Sequence, residues 1–191
     1  MNTVELLCKL ECALLKACEA HFPKMHSDHS DQKILAYTLY CSAGCRSFGV
    51  AIATDRDALS SDENILFKSA EWKYVNKHFS EFSEVDSLVD ELYEVFYEEE
   101  LDDIDLDEMD DAQLWSFISS FFVKCVSNVL REMKDKGMFN TDNFSEELLL
   151  GLQFGDPDIY AVEMMEQVFS QLKSDAWNTK LKAYIDVIRD A

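Results

Sequence analysis

The sequence predicts a single α+β domain over residues 1–191, in which a small antiparallel sheet, one hairpin plus at least one further strand, is packed with several helices. Three observations predict it. Residues 34–54 alternate in two runs joined by a short Gly-containing turn, as a hairpin does. Long segments elsewhere repeat apolar residues every three or four positions, as helices do. Gly and Pro number only 5 and 2, which favours long helices over tight turns. A hydrophobic fraction of 48% supplies a core for a chain that buries roughly 70% of its unfolded surface.

Val4–His21 reads as a helix with Leu7, Leu10, Leu14 and Cys18 on its apolar face, and with Asn2 or Thr3 as cap. Pro23–Gln32 reads as a polar surface loop carrying His26, Asp28, His29 and Asp31, with His21 just before it. A zinc site needs about four convergent nitrogen or sulfur ligands, and this loop offers two at most, so no metal is expected. Cys8, Cys12, Cys18, Cys41, Cys45 and Cys125 include no Cys-x-x-Cys pair. They are expected to be reduced, structural thiols, with Cys8 and Cys18 on the apolar side of the first helix. Ile34–Cys41 is the first strand, apolar on both sides and therefore covered on both faces. Ser42-Ala43-Gly44 is the turn. Ser47–Thr54 is the second strand, whose small residues Gly49, Ala51 and Ala53 leave room for a helix to approach. Thr54 or Asp55 opens a turn or short helix over Arg56–Ser60, and Ile65–Tyr74 follows.

The first helix, the strand Ala36-Tyr37-Thr38-Leu39-Tyr40, the strand end Ala51-Ile52-Ala53-Thr54 and the segment Ala70-Glu71-Trp72-Lys73-Tyr74 together resemble the bacterial domain-of-unknown-function family 4303. The resemblance covers nearly the whole chain and implies a small α+β cytoplasmic protein. It implies no enzymatic activity. Some small families of this kind stand beside toxin genes as immunity proteins.

Phe82–Tyr97 reads as an amphipathic helix capped by Ser83, with Val85, Leu88, Val89, Leu92, Val95 and Phe96 inward. Glu98–Asp111 is a loop. Gln113–Lys136 is the clearest helix, led by Asp110 and Asp111 and ended by Lys134, Lys136 and Gly137. Met138–Phe144 is a connection and Leu148–Phe154 a third strand. Asp156 as cap and Pro157 in first position open a helix over Ile159–Lys173, and Trp177–Ile188 continues after a break at Ser174-Asp175.

Residues 81–111 hold 16 of the 38 acids with no Lys or Arg among them, against a formal net charge of −21. Such a field repels nucleic acid and anionic membranes and complements a cationic protein partner, although acidity also serves plain solubility. The expected partner-binding residues are Glu91, Glu94, Glu98, Glu99, Asp102, Asp103 and Asp105. Asp103-x-Asp105-x-Asp107 begins like a calcium loop, but Glu108 stands where Gly is needed and Leu114 where the bidentate Glu should be. Leu101, Ile104, Leu106 and Met109 look too sparse to anchor the loop, which is expected to be mobile. The N-terminal segment lacks the pattern of an export signal and no apolar run approaches ~20 residues, so the expected location is cytoplasmic.

Glycine-rich phosphate loops, Gly-x-Ser-x-Gly and His-Glu-x-x-His are all absent, and no cofactor is expected. Two readings stay open. One is a non-enzymatic acidic protein that masks a basic partner, an immunity protein against a toxin being one form of it. The other is a small-molecule-binding or enzymatic domain with a pocket near Tyr37, Glu71 and Trp72. The oligomeric state is left open.

Overall fold

A computed structural model describes residues 2–57, 64–98, 101–172 and 175–189; for Glu98, Asp175 and Ala176 it describes the backbone alone. The fold is an α+β domain, and among the described residues five helices pack against a four-stranded sheet.

Helix α1 (Thr3–Asp28) starts in a capping box, with the Asn2 side chain accepting from the Glu5 N–H and Glu5 reaching back to the Asn2 N–H. It does not stop at His21. Pro23 has no N–H to offer the preceding turn, a defect that costs about 3 kcal/mol in a helix interior. The helix continues because its last turns still have something to bury: Met25 and His29 are each 1% exposed. The expected surface loop over 23–32 is therefore mostly helix.

Strands β1 (Ile34–Cys41) and β2 (Phe48–Thr54) form the antiparallel hairpin, Tyr37 opposite Ile52 and Thr38 opposite Ala51. Gly44 in the connecting 3₁₀ turn takes φ 66°. Sheet order is β3-β2-β1-β4. Strand β3 is the pair Tyr74–Val75, antiparallel to β2, and follows two 3₁₀ turns over residues 65–71. Strand β4 (Phe144–Phe154) is four residues longer at its start than the sequence suggests, and it lies parallel to β1. The sheet is mixed, not purely antiparallel. Four residues of polar-rich sequence, Phe144-Ser145-Glu146-Glu147, are drawn into the strand by pairing beside Ile34 rather than by propensity.

Helix α2 (Ser83–Glu98) follows directly on a 3₁₀ turn over Phe79–Phe82. Ser83 is itself helical and its hydroxyl donates to the Ser80 carbonyl, so it does not cap the helix. Helix α3 (Asp111–Asp135) starts in a second capping box, formed by Asp110 and Gln113. Helix α4 (Ile159–Leu172) is capped by Asp158, whose carboxylate accepts from the Ala161 N–H at 2.8 Å; Asp156 and Pro157 lie before it. Helix α5 spans Asp175–Arg189.

Both sheet faces are covered. Tyr37 lies near His21 and Phe22 of α1, and the Phe48 ring is 5.9 Å from Phe122 of α3. Helix α1 also packs on α2 and α3. On the other face Phe67 meets Phe169 of α4 and stacks on Tyr184 of α5 at 5.6 Å. Here Gly151 of β4 faces the Phe169 ring, and Gly49 of β2 faces the Asn76 side chain rather than a helix.

The cysteines divide by position. Cys18, Cys41, Cys45 and Cys125 are buried, and burial pushes the Cys18 thiol up to about 12. Cys8 and Cys12 are exposed, one turn apart on α1. Cys8 is thus not on the apolar side: Leu6, Leu7, Leu10 and Leu14 fill that stripe. A thiol-reactive dye on the native protein should label two groups rapidly, and all six only in denaturant. Labelling of three or more native thiols at the fast rate would show that the interior opens readily.

Candidate functional site

The acidic segment 81–111 divides into two parts that differ in how its charges are satisfied. On α2 and the 3₁₀ turn that leads into it, three acids face three lysines of α1: Lys9 pairs with Glu91 at 3.1 Å, Lys16 with Glu84 at 2.9 Å, and Lys24 with Glu81 of the turn. The lysines recur every seven or eight residues, two helical turns, which places them along one edge of α1. Lys24 holds the Glu81 carboxyl below its ordinary range. These pairs are exposed, so each contributes little to stability. Their effect is to neutralise that flank of the acidic surface. Asp86 turns inward and accepts from the Phe48 N–H at 2.8 Å, tying α2 to the first residue of β2; burial raises its pKa despite that bond.

The loop over residues 101–110 is the second part. It is held at three points. Leu101 is buried at 9% exposure, and Ile104 and Leu106 pack against the core. Asp103 accepts from both the backbone N–H of Thr3, at 2.9 Å, and its hydroxyl, at 3.0 Å. These are donors at the start of α1, where the helix dipole favours an anion, and they pull the Asp103 pKa down. Asp110 closes the loop as the cap of α3. The apolar residues are therefore not too sparse to anchor the segment, because the free end of α1 supplies the missing attachment.

Among the described residues, Glu94, Asp105, Asp107 and Glu108 are exposed and in no ion pair. The loop encloses an open concavity of about 550 Å³ lined by residues 101–108. Of the expected docking residues, the structure leaves Glu94 and Asp105 outward-facing and unpaired. It commits Glu91 to Lys9 and Asp103 to Thr3, and it places Asp102 on the exposed loop. Glu99 and the Glu98 side chain lie outside the described residues.

The three residues of the expected pocket do not share one. Tyr37 is fully buried under α1, where the Cys18 thiol stands beside it. Trp72 is buried and its ring N–H donates to the Ile65 carbonyl at 2.6 Å, the polar partner that such an anchor needs. Glu71 is exposed beside Lys68.

Sequence reasoning missed two features. The first is a buried histidine pair. His21 Nε2 is 3.1 Å from the Lys77 carbonyl oxygen, while its Nδ1 meets no partner; His29 Nδ1 is 3.3 Å from Gln32 Nε2, while its Nε2 meets none. Burial holds both below the usual histidine range, His21 down to about 4. Beside them Asp28, pulled down to about 2 by its bonds to Lys77 and His78, sits on the surface. Among the described residues no group of three or more His, Cys, Asp or Glu could hold a metal. The second is an aromatic surface at the far end of the sheet. Tyr97, 59% exposed, stacks on Tyr93, and the Arg46 guanidinium lies 3.4 Å over the Tyr93 ring. Tyr93 donates its hydroxyl to the Gly44 carbonyl, and the Trp115 ring flanks the same glycine. No helix among the described residues is long and apolar enough to cross a membrane.

No family model matches this chain, and no curated protein and no solved structure is significantly similar to it. The resemblance to family 4303 therefore rests on the first helix and residues 36–40, 51–54 and 70–74 alone.

Proposed function

We propose that the protein is a non-enzymatic interaction protein that masks a basic protein partner with its acidic loop. The observation that carries the reading is the contrast within one charged stretch. The α2 flank is neutralised by α1 lysines, whereas Asp105, Asp107 and Glu108 face outward without counter-ions on a loop fixed at Leu101, Asp103 and Asp110. A fixed loop needs little ordering on association, so less of the interaction energy is lost. Rim carboxylates of this kind speed encounter more than they lengthen the lifetime of a complex. An immunity-type protein that covers the cationic surface of a toxin is one form of such a binder. Membership of family 4303 and a cytoplasmic setting belong to the same proposal.

The test is capture from the source cells at low salt, followed by kinetics on the recovered partner. Reversing Glu94, Asp105, Asp107 and Glu108 to Lys should lower the association rate about tenfold or more and flatten its salt dependence. Replacing Glu84 and Glu91 by Gln, within the neutralised flank, should leave it nearly unchanged. A partner that is not cationic, or one whose rate ignores the fourfold reversal, contradicts the reading.

A further inference from the structure

Beyond the carboxyl ends of the parallel strands β1 and β4 lies a small, fairly enclosed cavity of about 100 Å³. Gly44 of the hairpin turn, Trp115 near the start of α3, Phe154 at the end of β4 and Met164 of α4 line it, and Asp156 and Asp158 stand at it. We propose that this cavity is a receptor for a single lysine or arginine side chain, presented by the basic partner of the function proposed above.

Size comes first. The volume is roughly that of three waters at ~30 Å³ each in the liquid. Nucleotides and drug-sized ligands need about 300 Å³ or more. One unbranched side chain is the scale that fits. Chemistry comes next. Phe154, Met164 and Trp115 offer apolar contact to an alkyl stem, in the way long cationic side chains lay their stems on apolar surface. Asp156 is exposed and in no ion pair among the described residues. Asp158 uses one oxygen, Oδ1, on the Ala161 N–H, which leaves Oδ2 to receive a charge. Two carboxylates disfavour an anion, and they are too few to hold a calcium ion, which takes six to eight oxygens.

The tryptophans supply an independent observation. Trp72 and Trp177 are buried and donate to the carbonyls of Ile65 and Glu147. Trp115 is only half-buried, meets Tyr160 edge to face at 6.4 Å, and its ring N–H has no protein acceptor among the described residues. Tyr160 is 55% exposed beside it. Trp and Tyr are among the residue types that carry most binding energy at interfaces, and here a half-buried Trp lines the cavity with an exposed Tyr beside it. The same surface already shows the recognition in question, since Arg46 lies on the Tyr93 ring.

The proposal rests on the masking function for the source of the side chain, and the experiment separates the two. The full chain is titrated with N-acetyl-lysine methylamide and N-acetyl-arginine methylamide, with the norleucine analogue as uncharged control. Binding is followed at the Trp115 indole N–H and the Gly44 and Asp156 amides by nuclear magnetic resonance. At least one cationic probe should shift these signals saturably and bind at least tenfold more tightly than norleucine. Asp156→Asn should weaken it several-fold, and Ala161→Leu, which fills the cavity, should abolish it while thermal unfolding shows both variants folded. No saturable shift, norleucine binding as well, or indifference to both substitutions overturns the receptor. Charge reversal at Asp105, Asp107 and Glu108 should leave probe binding intact. A partner that depends on the loop while no probe binds sinks the receptor alone; a probe that binds in a protein that captures no basic partner sinks the masking function alone.

Discussion

Gly151→Val should destabilise the protein by about 3 kcal/mol or more, a large part of the 5–15 kcal/mol available to a domain. Gly151 sits mid-strand in β4, the edge strand beside β1, opposite Thr38 and buried beneath Phe169. A Cβ there would come within 2.6 Å of Phe169 Cζ and 2.8 Å of Cε2, well inside van der Waals contact. Phe169 has no exposed surface and meets Phe67, itself buried, so the ring has nowhere to swing. A side chain would ordinarily favour a strand over glycine by reducing the freedom of the unfolded chain; here the ring decides the sign. Urea unfolding of Gly151→Ala, Phe169→Leu and the double variant measures it. The two single losses should exceed the double loss by at least about 1 kcal/mol, because the shortened side chain makes room for the added methyl. Strict additivity, or a valine variant with an unchanged midpoint, would show that the core yields at this point.

Unfolding should become easier by about 3 kcal/mol as pH falls from about 6.5 to about 4, through His21. In the folded chain burial keeps this ring neutral down to about 4. The Lys77 carbonyl and Glu81 favour the charged ring, but His78 and Lys24 oppose them, and burial outweighs both. In the unfolded chain an ordinary histidine takes its proton near 6.5. The unfolded state therefore binds the proton first, so stability is complete above 6.5 and drains away as the pH drops through that window. His29, likewise depressed by burial, adds in the same direction. The lowered carboxylates Asp28, Glu81 and Asp103 lose their contribution only below their ordinary range, as pH falls toward their folded values, and Asp86, raised by burial, works in the opposite direction, so the loss of stability in the upper part of the window belongs to the histidines. Urea midpoints at pH 7, 6, 5 and 4.5 should slope in the parent protein and flatten in His21→Phe, whatever that variant does at pH 7. Parallel slopes in the two proteins would assign the acid sensitivity elsewhere.

Much of this architecture was legible from periodicity. Ile34–Cys41 alternates, its neighbours are apolar on both sides, and it is buried on both faces. The 113–136 repeat reads as the long helix it is, and Asp110 was visible at its start. Where prediction failed, a contact far along the chain outweighed a local rule. Pro23 signals a break, but Met25 and His29 gain burial beyond it. Ser145, Glu146 and Glu147 look like a connection until β1 pairs beside them. Tyr74 and Val75 are too few for a strand pattern and become one because Val50 accepts from the Asn76 N–H next to them. The acidic stretch was visible as composition, but not its division. That depends on which edge of α1 carries Lys9, Lys16 and Lys24, and only the packing of α1 on α2 decides it. The cavity beside Trp115 joins residues from three separated stretches of the chain, 43–44, 115 and 154–164, so no local signal announces it.

The parallel pairing of β1 with β4 also sets a timetable. The hairpin is complete at residue 54, while the strand that fills the other edge of β1 ends at residue 154. At ~5–20 residues per second of synthesis, that edge stands open for roughly five to twenty seconds. An open edge is a template for pairing with another chain, and so distant a partner closes slowly even once it has been made. Residues 81–111, with sixteen carboxylates and no counter-charge of their own, emerge within this interval. Like-charged nascent chains repel one another while their sheets are still incomplete, before any partner is in reach.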